Sequence, residues 1–99
     1  MADTDAAVIA ASLKDPEAFV AIFERHFEPI SRYLRRRLNR IAADELAADV
    51  FATAFSRRGA YDLERPSALP WLYGIAAKLL RSRRRIEERE LRARCHSQR

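Results

Sequence analysis

PEAFVAIFERHFEPISRYLRRRLNRI, residues 16–41, decides the fold. Phe19, Phe23, Phe27, Ile30, Leu34, Leu38 and Ile41 recur at spacings of four, four, three, four, four and three. That is one apolar stripe of period 3.6, and it predicts an amphipathic helix. The opposite face carries Arg32, Arg35, Arg36 and Arg40. Asp15 sets a capping carboxylate directly before Pro16, which suits the first helical position because its missing N–H has no partner there anyway. Pro29 lies inside the stripe and should kink the helix or interrupt its hydrogen-bond ladder.

Downstream, ADELAADVFATAFSRR, residues 43–58, predicts a second helix. Leu46, Val50, Ala54 and Phe55 form its inner stripe, with Ala43, Ala47 and Phe51 beside it. Asp44 and Glu45 are expected in the first turn and Arg57 and Arg58 in the last, the signs the helix dipole favours. Gly59 reads as a left-handed stop. The outward face shows Glu45, Ala48, Asp49 and Ala52, acidic and low in relief. A loop containing Tyr61, Asp62 and Pro66 precedes a third helix from about Ser67 past Arg92. Its core face is Leu72, Ile75, Ala76 and Leu79; beyond Leu80 it is charged on all sides and should project from the body. Upstream, residues 4–14 form a short, weakly amphipathic Ala-rich segment around Ile9 and Leu13.

The expected fold is thus all-α: a compact bundle of three to four helices ending in a long basic helix. Composition agrees. The 99 residues suit one small domain, with 48% hydrophobic and 33% charged residues, two glycines and no long alternating β-branched run. No apolar stretch approaches the roughly 20 residues of a membrane span, and Asp3 and Asp5 do not suit a secretory leader. The lone Cys95 cannot form an internal disulfide, so a cytoplasmic protein is expected. The net charge of +5 is unevenly placed: residues 1–77 carry 10 Lys/Arg against 11 Asp/Glu, residues 78–99 carry 9 against 3. A local field of that kind attracts phosphate backbones, or else belongs to a solvated basic helix.

Residues for catalysis are lacking. His26 and His96 are far apart, Cys95-His96 has no partners at metal-ligand spacing, and neither glycine sits in a phosphate-cradling motif. Asp44, Glu45 and Asp49 on one helix read as a solvated or partner-binding face rather than a metal site. The chain is read as a binding protein: not an enzyme, without cofactor and without metal.

Two motifs carry a resemblance. ADELAADVF followed by ATAF, residues 43–55, is similar to an acidic-Leu…acidic-Val-Phe helix ending in an aromatic. RPSALPWLYGIAAKLLRSRRR, residues 65–85, is similar to a Trp-Leu-Tyr-x-Ile-Ala run passing into an arginine cluster. In this order they resemble region 2 of bacterial sigma factors, most closely the extracytoplasmic-function (ECF) group, over residues 15–91.

The resemblance implies that the residue 43–58 helix docks on the clamp coiled coil of the RNA polymerase β′ subunit, through Asp44, Glu45, Ala48, Asp49 and Ala52. Alanines permit close helix approach, and rim carboxylates can pair with cations. It further implies that the last helix and its preceding loop recognise and melt the promoter minus-ten element and hold the non-template strand. Lys78, Arg81, Arg84 and Arg85 would track phosphates; Tyr61, Trp71 and Tyr73 would offer stacking faces or a wedge, with Trp71 alternatively a core anchor. An anti-sigma factor is a further implied partner; no membrane is. Ala48 stands where the family often has Gln, Lys78 where it has Asn, Ser82 where it has Asp, and Phe55 where Trp is frequent. These departures favour phosphate over base-edge contact at Lys78. They also keep open an alternative, a protein-interaction module that binds polymerase or an anti-sigma partner without productive DNA recognition. The expected organisation is a region 2-like domain over residues 1–94 and a tail over 95–99. Nothing after Leu91 resembles the minus-35 helix-turn-helix domain, region 4, so a dissected or truncated domain is expected.

Overall fold

Thr4 opens the first helix by accepting a hydrogen bond from the Ala7 N–H on its Oγ1, at 3.1 Å, and α1 then spans Asp5–Ser12 in a computed structural model that describes residues 3–97. A 3₁₀ turn, Pro16–Phe19, leads into α2, Val20–Arg35. α3 spans Arg40–Ser56, a second 3₁₀ turn Arg58–Ala60, and α4 Leu69–Ser97. The described residues contain no strand, so the bundle is all-α as the periodicities require. No helix among them is long and apolar enough to cross a membrane.

The deciding stretch divides differently from its stripe. α2 ends at Arg35, and Asn39 starts α3 by accepting from the Ala42 N–H at 2.8 Å. Leu38 falls in the connecting turn, and Ile41, on the new helix, is 74% exposed. The hydrophobic residues that α2 buries completely are Ile22, Ile30 and Leu34, whereas Phe23 is 42% exposed. Phe23 and Phe27 instead flank Phe51 of α3, at 5.0 and 6.5 Å between ring centroids, and Phe19 meets Phe55 edge-on at 5.5 Å. Aromatic pairs of this kind add to area burial and fasten α2, with the turn before it, along α3. Pro29 does not end α2; it forgoes the one helical bond its nitrogen cannot donate, while Ile30 and Leu34 stay in the core. The Asp15 side chain makes no capping bond.

α3 is the central helix and buries Ala42, Ala43, Leu46, Ala47, Val50, Phe51 and Ala54. Because it begins at Arg40, Asp44 and Glu45 lie in the second turn rather than the first, where the dipole is weaker. Gly59 is not a left-handed stop: no described residue has positive φ, and the chain leaves α3 through the 3₁₀ turn. Arg58 closes that end instead. Its guanidinium lies 4.0 Å over the Phe55 ring and donates to the carbonyls of Phe55 (2.9 Å) and Ser12 (3.3 Å), at the ends of α3 and α1.

α4 packs Leu72, Ile75, Ala76 and Leu80 into the core, with Leu79 half-buried. Its 29 residues rise about 43 Å at 1.5 Å each, and from Arg84 onward every residue with a described side chain is exposed. The outer half therefore projects, giving extents of 62 × 23 × 21 Å. The helix runs through Ser97, past the boundary expected at residue 94; residues 98–99 of the expected tail lie outside the described residues. Among the described residues one buried side-chain group lacks a partner, the Ser31 hydroxyl in mid-α2. Ser31→Ala removes that unpaired group and improves helix propensity, so thermal melting should show a gain of about 1 kcal/mol.

Candidate functional site

The basic face is built on α4 alone. Lys78, Arg81, Arg84 and Arg85 are exposed, and none makes an ion pair among the described residues. Arg83 is different: it bonds Glu87 at 3.1 Å and reaches Glu45 of α3 at 4.0 Å, holding the outgoing helix against the bundle. Beside Lys78 runs an open groove of about 500 Å³ between α3 and α4. Trp71, Ile75 and Leu79 supply its apolar surface, and Lys78 and Arg57 its cations. An apolar groove with cations among its lining is suited to a base and its phosphate.

The aromatic residues expected there do not act together. Tyr61 is buried, 7% exposed, with its ring edge-on to Trp71 at 4.9 Å. Its hydroxyl donates to the Arg65 carbonyl at 2.7 Å. Burial, and then the carboxylates of Asp5 and Asp62, raise this phenol above its ordinary value, so it remains a donor. Tyr61 therefore braces Trp71 and shapes the loop; it offers no free stacking face. Trp71 is half-buried, packed against the core and also lining the groove. Tyr73 lies roughly 160° around α4 from Trp71, at 100° per residue. It meets Tyr33 of α2 edge-on at 5.4 Å and stands apart from the groove.

What sets α4 in place is Asp5, which sequence reading treats only as a charge. Its carboxylate is buried and accepts from the Ala68 N–H at 2.7 Å, just before α4 begins. It also meets His26 Nε2 at 2.6 Å and accepts from Arg25 at 3.0 Å, both on α2. Its own N–H donates to the Pro66 carbonyl at 3.0 Å. One side chain thus ties α1, α2 and the loop to the N-terminus of α4. Burial is the strongest single influence on this carboxyl and opposes ionisation. The bonds from Ala68, His26 and Arg25, with the His26 charge, together outweigh it and hold the group below its ordinary value.

On α3, Asp44, Glu45, Ala48, Asp49 and Ala52 are all exposed. Glu45, Ala48, Asp49 and Ala52 follow at i, i+3, i+4 and i+7 and share one face; Asp44 flanks it. Asp49 also borders a second groove, about 420 Å³, whose other side is Leu79, Ile86, Glu87 and Glu90 of α4. Among the described residues no three His, Cys, Asp or Glu are grouped to hold a metal ion.

A model of the family described as Sigma-70 region 2 matches residues 22–90, well over half of the chain. No curated protein and no solved structure gives a significant match.

Proposed function

The chain belongs to the sigma-70 region 2 family, a non-catalytic domain of transcription initiation that binds core RNA polymerase and promoter DNA, and from that premise we propose a division of labour between its helices. α3 docks on the β′ clamp coiled coil through Asp44, Glu45, Ala48, Asp49 and Ala52. α4 engages the minus-ten element, with Lys78, Arg81, Arg84 and Arg85 on the phosphates and Trp71 at the groove receiving an unstacked base. Binding then drives melting: stacking contributes about 1–3 kcal/mol per base, comparable with the cost of extruding one. The WLYGIAAKLLRSRRR motif favours the ECF group.

The observation that carries this reading is the pairing, on one small bundle, of an exposed acid-and-alanine face with unpaired cations beside an apolar groove. Arg84→Ala with Arg85→Ala should weaken binding to a single-stranded minus-ten oligonucleotide and lower its salt slope by about 1.4, at 0.7 per phosphate contact. Fluorescence anisotropy over a salt series measures both. An unaltered slope places the strand elsewhere. Polymerase binding without any DNA affinity would instead favour the alternative of a pure protein-interaction module, to which Lys78 and Ser82, in place of Asn and Asp, incline.

A further inference from the structure

Between α3 and the outgoing half of α4 runs the groove of about 420 Å³ bordered by Asp49, and the cations of α4 stand apart from it. Leu46, Leu79 and Ile86 supply its apolar lining, and Asp49, Glu87 and Glu90 its carboxylates. At 100° per residue, Ile86 and Glu90 fall within about 20° of Leu79 around α4, whereas Lys78, Arg81, Arg84 and Arg85 lie roughly 100–160° away. The outgoing helix therefore has two faces, one basic and one apolar with acids. Arg83 also lines the groove, but it is already engaged by Glu87 at 3.1 Å and Glu45 at 4.0 Å. Asp49 and Glu90 make no ion pair among the described residues. Three carboxylates against one guanidinium leave the groove acidic. A single exposed isoleucine is ordinary on a protein surface. Ile86, 54% exposed, is not single: it shares the groove with Leu46 and Leu79.

We propose that this groove is a second docking surface for core polymerase, seating a basic amphipathic helix. The apolar stripe of that helix lies on Leu46, Leu79 and Ile86, and its cations meet Asp49, Glu87 and Glu90. An amphipathic helix is the partner that an apolar groove fits, and the unpaired acids select a basic one. The groove is continuous with the exposed face of α3, because Asp49 belongs to both. A coiled coil carries two helices, and packed helices lie about 8–10 Å apart. With one helix on Ala48 and Ala52, its mate falls one helix width to the side, at the groove. α4 then meets polymerase on one face and DNA on the other. This deepens the docking proposed for α3, and rests on it.

The test is titration of labelled chain with core polymerase. Ile86→Ala should weaken binding about tenfold, and Glu90→Lys about fivefold. Leu91→Ala is the control: Leu91 is 61% exposed on the same helix, roughly 140° around it from Ile86, and its loss should change affinity by less than about twofold. All three positions are exposed, so melting curves should stay at the wild-type value. Binding of the single-stranded minus-ten oligonucleotide should be unchanged by Ile86→Ala. If Asp49→Arg lowers polymerase affinity while Ile86→Ala and Glu90→Lys leave it unaltered, the groove is wrong and the α3 docking stands. Equal losses from Ile86→Ala and Leu91→Ala also overturn it, since they mark general apolar adhesion. Self-association of the chain alone that Ile86→Ala abolishes gives the groove to a second copy and overturns it too. A wild-type chain that binds no polymerase overturns both readings.

Discussion

Asp5→Ala is expected to destabilise the bundle by about 3 kcal/mol, lowering its melting temperature by about 15 °C for a chain of this size. The substitution removes the acceptor of the buried Ala68 N–H and faces Arg25 and His26 with an apolar gap. Leaving such groups unpaired costs far more than an exposed ion pair contributes. The same side chain sets an acid limit. Its folded carboxyl titrates below its ordinary value, so its contribution is fully present above the unfolded value, about 3.9, and is lost as pH falls through the lower folded one. Wild-type stability should therefore drop on acidification below about pH 4, and Asp5→Ala should lack that component. Melting curves across pH check both. A variant that melts within a few degrees of wild type, with the same acid profile, would refute the role of Asp5 as the tie between α1, α2 and α4.

Asp49→Arg is expected to weaken binding to core polymerase by at least about thirtyfold while leaving the fold intact. Asp49 sits within the exposed face formed with Glu45, Ala48 and Ala52, and makes no ion pair among the described residues. Reversing its charge therefore breaks nothing inside the bundle, and arginine is the better helix former. Across a docked interface it sets like charges together and adds a long side chain where alanines allow close approach. Titration of labelled protein with core polymerase reads the affinity, and a melting curve reads the fold. Loss of both would trace the effect to folding rather than docking.

Where the local pattern carried the information, the sequence was a good guide. α3 and the first half of α4 bury most of the faces their periodicity marks, with Leu80 rather than Leu79 in the core and Phe55 half-buried, and the charged run after Leu80 does project. The boundary between α2 and α3 was hidden because Leu38 and Ile41 continue the same spacing across it. Asn39, a capping residue, was the available signal. Ile22 was passed over for Phe23 because the aromatic spacing formed the longer stripe, whereas packing turns Phe23 and Phe27 sideways onto Phe51. The exposed positions on α3 and the cations of α4 could be read directly, since amphipathicity decides them. The aromatic part could not: Tyr61 reads as an accessible loop residue until Trp71 and the Arg65 carbonyl enclose it. Asp5 meets Ala68 across 63 positions, a pairing no local pattern announces. Ile86 reads as one residue of a charged run; that it shares a groove with Asp49 depends on how α4 packs on α3.

The central claim is that this bundle docks on polymerase through the acidic face of α3. Co-elution of the wild-type chain with bacterial core RNA polymerase on a sizing column, at micromolar concentration, tests it most directly. The wild-type chain should move to the polymerase volume, and Asp49→Arg should stay at its own. A wild-type chain that elutes alone, or a folded Asp49→Arg variant that travels with polymerase as fully as wild type, would contradict it.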